Sequence, residues 1–141
     1  MLRKAPLFHE RPLALRIVTG GLVPTAFGAV TGIVLGVSAA GYWALSLLAL
    51  AGGVLAGVEH RDGWEGADRG LVGGVLFGTA LLVAHAIAGT DAKVSLPQFE
   101  PILAVFTAII GMFAGALGGR LRRGATGEPP SRLRAREPAS H

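Results

Sequence analysis

His85 is the only ionisable side chain well inside an apolar stretch of this sequence. Placing a charge-capable group within a bilayer is costly, so such a residue is a functional candidate by default. It lies seven residues after Gly78 on the same small-residue face, and about 9 Å from Asp91 along a helix. The spacing predicts Thr107 at a similar depth on a later segment, with Thr31 and Ser46 at the corresponding level of two earlier ones. His85, Thr107, Thr31 and Ser46 could therefore form one inward-facing polar cluster. Such a cluster would suit a small-solute or ion path, with an imidazole able to carry a proton. The structural alternative is a hydrogen bond from His85 to Thr107 or a backbone carbonyl, which would simply tie two helices together.

The run Glu59-His60-Arg61-Asp62-Gly63-Trp64-Glu65-Gly66-Ala67-Asp68-Arg69 is the densest polar region. Asp62 with Glu65 three residues later reads as a capping box that starts a helix early, and Glu65 can pair with Arg69 at i+4. Glu59, His60 and Asp62 could in principle hold a metal, but one histidine among exposed carboxylates is a poor ligand set, and no metal is expected. The stretch from Asp62 to Arg69 resembles the opening of the CDP-alcohol phosphotransferase motif. That resemblance implies Ala-Arg two residues after Asp-Gly, and further aspartates in the following helix. Gly66-Ala67 stands in that place and the helix carries no acid, so the family's metal site cannot be built. The sequence has no Cys, which excludes thiol catalysis and disulfides. It has no second His after His9-Glu10 at zinc-protease spacing and no Gly-x-Ser-x-Gly turn. No catalytic residue, cofactor or enzyme activity is expected.

The elements that must position these residues follow from charge. Of 141 residues, 51% are hydrophobic and only 16% charged, where a soluble domain carries about a quarter. The charges stand in blocks, and none lies between Arg16 and Glu59. That excludes a water-soluble globule. Ile17 to Val58 would be about 63 Å long as one helix, twice the hydrocarbon thickness, so it must fold back. The break is expected at Ser38-Ala39-Ala40-Gly41, with Gly41 ending a helix in the left-handed conformation, and Tyr42 and Trp43 at the interface. The expected architecture is an all-α, integral membrane four-helix bundle of two antiparallel transmembrane hairpins. Its helices span about 13–37, 42–58, 70–90 and 101–119, with Pro101 opening the last. Residues 1–12 form an N-terminal tail. The basic, proline-containing stretch 120–141 is expected to be disordered.

Glycine at four-residue spacing marks every helix. Gly28, Gly32 and Gly36 fall on the first, and Gly53 and Gly57, after Ala49, on the second. Gly66, Gly70, Gly74 and Gly78 fall on the third with its lead-in, and Gly111, Gly115 and Gly119 on the fourth. Small residues let helix backbones approach closely in lipid, where hydrophobic association gives little. These glycine-zipper faces are expected to carry the packing, within the chain or against another subunit. Phe27-Gly28 and Phe77-Gly78, each following a Gly-Leu-Val, hint at a parallel repeat. Pro24 removes one backbone donor inside the first helix and predicts a kink, with Thr25 at hand to satisfy freed carbonyls.

Twelve Lys and Arg residues fall in the tails and the loop 59–69, against Lys93 alone in the loop 91–100. The positive-inside bias puts both termini in the cytoplasm, in a plasma (inner) membrane. Arg outnumbers Lys 11 to 2, which suggests a GC-rich bacterial genome. The C-terminal arginines could attract anionic lipid. Nucleic acid is not expected as a partner, since no aromatic residue interleaves with them. The function expected is non-enzymatic packing or assembly in the bilayer, as a homo-oligomer or with another membrane protein. The alternative is an oligomeric channel or transporter around His85.

Overall fold

The computed structural model describes residues 7–126. Of the segment 120–141 expected to be disordered, residues 127–141 lie outside them, as do the first six residues. Four helices are long and apolar enough to cross a membrane: α1 Leu13–Leu35, α2 Ala39–Val58, α3 Gly63–Ala88 and α4 Pro101–Thr126. No strand occurs among the described residues.

The local reasons for these boundaries are specific. In α1 the turn Val18–Leu22 is widened to π geometry just ahead of Pro24. The Val23 N–H donates to the Val18 carbonyl rather than to Thr19. Pro24 has no N–H to offer Thr19 in the next register, so the helix leaves that carbonyl without a partner. The Thr25 hydroxyl donates to Gly21 O at 2.8 Å. A π-bulge thus absorbs the proline where the sequence predicted only a kink.

The break after α1 also differs from expectation. Gly41 is inside α2, and the only described residue with positive φ is Gly89 (φ 61). Ser38 caps α2 instead, with its hydroxyl accepting from Gly41 N–H at 3.1 Å. A serine oxygen satisfies an orphan N–H directly, so no left-handed residue is needed. Gly41 is small for a steric reason: a Cβ there would sit 2.8 Å from Val34 Cγ1.

Helix α3 starts at Gly63, well before Gly70, because Asp62 Oδ1 accepts from the N–H groups of Trp64 (2.9 Å) and Glu65 (3.1 Å). Gly89 ends it in the left-handed conformation. Helix α4 continues past 119, so residues 120–126 are helical where the sequence predicted tail. Arg122 Nη1 donates to Val58 O at 3.0 Å, a cation on the carbonyl end of α2.

The helices pack in the ring order α1, α3, α4, α2. Along the antiparallel pair α3–α4, a Cβ added to Gly70 would meet the Gly111 carbonyl, one on Gly115 the Gly66 carbonyl, and one on Gly74 the Thr107 carbonyl. Helix α1 runs parallel to α3, with Gly28 against the Phe77 backbone and Gly32 against Leu81. Helix α2 rests on α4 through Gly57 against Gly115 and Gly118 against Val54. Gly119 faces the Asp62 carbonyl. Two expected packing glycines do other things: Gly36 faces the Thr90 side chain, and Gly53 approaches only the Ala114 methyl, at 3.4 Å. Gly118, absent from the predicted face of α4, shares the contact with α2 with Gly115. The contact between α1 and α2 is the smallest of the four sides.

The two ends of the bundle differ. At one end Leu35, Tyr42 and Leu81 form an apolar core covered by Ala92, Val94 and Leu96 of the α3–α4 connection, which is pinned by Lys93 N–H to Leu35 O at 2.9 Å. The other end carries both described chain ends and the loop after α2, and it is polar.

Candidate functional site

The four residues of the expected cluster, His85, Thr107, Thr31 and Ser46, are not joined by a hydrogen bond: the Thr31 and Thr107 hydroxyls each bond within their own helix. Thr31 is fully buried, and its hydroxyl donates to Phe27 O of its own helix at 2.8 Å. The Thr107 hydroxyl donates to Ala104 O at 3.0 Å and lies against Gly78. Two turns, about 10 Å, separate Gly78 from His85, so Thr107 and His85 are not at one depth. The glycine contacts impose this register: Gly70 opposite Gly111 and Gly78 opposite Ala104 put His85 level with the chain ahead of α4. Depth counted inward from the loops missed it, because the 89–100 connection folds over the end of the bundle. Ser46 is half-buried on α2. His85 is half-buried in the last turn of α3, and its Nδ1 is buried without a hydrogen-bond partner.

The residues of the polar loop are each engaged elsewhere. Glu59 Oε1 accepts from Arg11 Nη2 at 2.7 Å, Asp62 caps α3, and His60 Nδ1 lies 3.0 Å from Ala56 O. No group of three or more His, Cys, Asp or Glu side chains among the described residues could hold a metal ion.

A different constellation is assembled at the polar end. The short turn Phe8–Glu10 is fastened by Phe8 N–H to Glu59 O at 3.1 Å. The Phe8 ring stacks on His60, with centroids 5.4 Å apart. Two guanidinium groups approach the same ring, Arg16 at 5.4 Å and Arg69 at 5.7 Å from its centroid. Each is placed for a cation–π contact. Arg69 Nη2 also donates to Thr19 O at 2.6 Å. This is the carbonyl that the π-turn and Pro24 leave without a helical partner. Arg16 Nε is buried and has no hydrogen-bond partner. Burial of the His60 ring pushes its pKa below the usual histidine value, and Arg69 and His9 act in the same direction. The Ala56 carbonyl and Glu65 oppose the shift without reversing it.

These groups border an open groove of about 700 Å³ between α1 and α3. Leu13 and Arg16 of α1 with Glu65, Asp68 and Arg69 of α3 line it nearest the polar end, and Val72 and Leu76 line it farther in, with Ile17, Gly20 and Gly21 between. Comparison with known protein families, with curated proteins and with solved structures finds no match.

The groove was hidden in the sequence because its residues come from positions 8 to 76. One signal pointed to it. Arg16 and Arg69 are the last charges before two long uncharged runs, and a proline eight residues after Arg16 had to leave a carbonyl in need of a donor.

Proposed function

We propose that this chain is a multi-pass integral membrane protein with both termini cytoplasmic, acting without catalysis as a packing or assembly component. Insertion is supported by large apolar side chains exposed on every helix, among them Ile33, Leu47, Val83 and Phe113. A face that apolar on each helix suits lipid rather than water. The observation that carries the assembly reading is the backbone-to-backbone approach of α3 to α4, α1 to α3 and α2 to α4. Helices that close leave no room for a file of solute between them. The glycine-zipper reading is supported by the same contacts. Association with a second copy or another membrane protein would then use the outward apolar faces.

The rival is a pathway between copies of the chain near His85, favoured by one observation, the buried and unpartnered Nδ1. Proton and solute flux in proteoliposomes from pH 5.5 to 8, wild type beside His85→Gln, separates the two. The expected result is no flux in either. Flux in the wild type that His85→Gln abolishes would overturn the assembly reading.

A further inference from the structure

The groove between α1 and α3 combines two features that rarely share a surface. Beyond the charges its lining is apolar: Ile17 beside Arg16, then Val72 and Leu76, descend along the two helices away from the polar end, and Ile17 and Val72 are exposed. Its rim carries Arg16 and Arg69 together with Glu65 and Asp68. No ion pair joins either arginine to either carboxylate among the described residues. Glu65 Oε2 accepts from Arg61 N–H at 3.1 Å, and Asp68 is exposed. Cations and anions thus line one opening in equal number without neutralising each other. The Arg16 Nε donor is unsatisfied, and burial of unmet donors is costly. The π-turn keeps the opening clear: a Cβ on Gly21 would meet nothing within 4 Å.

We propose that this groove binds one phospholipid whose headgroup carries both a phosphate and a primary ammonium, a phosphatidylethanolamine. Guanidinium groups match phosphate oxygens in geometry and charge, so Arg16 and Arg69 take the phosphate. Glu65 and Asp68 take the ammonium, and an acyl chain lies along Ile17, Val72 and Leu76. The π-bulge then has a purpose. It widens the helix at two glycines just where the chain must enter, and the carbonyl it frees holds Arg69 at the rim.

The inference rests on membrane insertion, which is tested separately by whether the chain stays in the membrane fraction. Native mass spectrometry of the full chain in detergent, with added dioleoyl phosphatidylethanolamine or dioleoyl phosphatidylglycerol, reads the site directly. The wild type should retain the ethanolamine lipid over the glycerol lipid. Arg16→Gln should lower retention about tenfold, the loss expected for a hydrogen bond to a charged group. Arg69 also holds Thr19, so the second variant is the exposed Asp68→Asn, which should erase the preference between lipids while leaving the thermal stability of the protein unchanged. Equal retention by wild type and Arg16→Gln overturns the proposal. So does a wild-type preference for the glycerol lipid, which would mark a simple anion site. Retention of water-soluble glycerophosphoethanolamine as strong as that of the lipid would also overturn it, since the apolar lining would then be idle. Failure of binding in a chain that remains membrane-bound leaves the membrane reading intact.

Discussion

The two hairpins of this bundle are built in opposite ways. Helices α3 and α4 close on each other along their length, with Gly66, Gly70 and Gly74 set against Gly115, Gly111 and Thr107. Helices α1 and α2 are joined by a short connection, yet they form the smallest contact of the ring. Each is instead fixed to the second hairpin, α1 through Gly28 and Gly32 and α2 through Gly57 and Gly118. Sequence neighbours are therefore not the packing partners in the first half of the chain. The second hairpin is the scaffold on which the first is hung helix by helix.

That difference can be broken most severely at Gly115, whose backbone meets both α3 and α2. Gly115→Leu should cost more than the about 1–3 kcal/mol typical of overpacking, because the facing atoms are backbone and cannot rotate away. Thermal unfolding in detergent should show the loss. Gly52→Leu, at a site with nothing within 4 Å, should change stability by no more than about 0.5 kcal/mol. Gly28→Ala is expected to fall between them and to act on one contact alone. It should expose α1 to protease while α3 and α4 stay protected. Loss of protection across all four helices would show that the first hairpin is part of the scaffold after all.

A smaller effect sharpens the comparison at the point where α1 meets α3. Arg69→Gln withdraws the donor from Thr19 O, a half-buried carbonyl, which places the cost toward the lower end of the about 1–3 kcal/mol of an unmet buried group. Pro24→Ala restores an N–H and with it the option of regular α geometry. In the double variant the Arg69→Gln penalty should largely vanish. Two penalties that simply add would separate Arg69 from the bulge, since coupled partners are non-additive.

The smallest effect is set by pH at the other joint, where Phe8 rests on His60. Burial holds the His60 pKa below its unfolded value, so the unfolded state binds the extra proton more readily. The contribution to stability is complete above pH ~6.5 and is lost as pH falls below it. The protection factor of the Phe8 amide, exchange corrected for its intrinsic pH dependence, should fall on acidification through that window in the wild type and should stay level in His60→Gln. A fall retained in His60→Gln would assign it to His9 or another group.

Much of this architecture is legible in the sequence. The uncharged runs give the four helices, and four-residue glycine spacing marks where backbones meet. What is not legible depends on registration between helices. Thr107 and His85 look depth-matched when counted from the loops, yet the glycines of α3 and α4 lock them two turns apart. Gly118 shares the α2 contact with Gly115 although Gly119 continues the four-residue spacing. The groove required Phe8, Arg16, His60 and Arg69 to converge from four separate segments. Pro24 announced a defect in the helix, but its repair by an arginine on another helix needed the parallel pairing of α1 with α3.

The extension of α4 has an electrostatic consequence. Its 26 residues measure about 39 Å along the axis, against a hydrocarbon thickness of about 30 Å. The excess, about 9 Å, is close to the screening length of physiological salt, about 8 Å. In the membrane-spanning arrangement proposed above, Arg120, Arg122 and Arg123 would ride on a rigid rod within the ionic atmosphere of the headgroups, at a distance from the surface fixed by the helix.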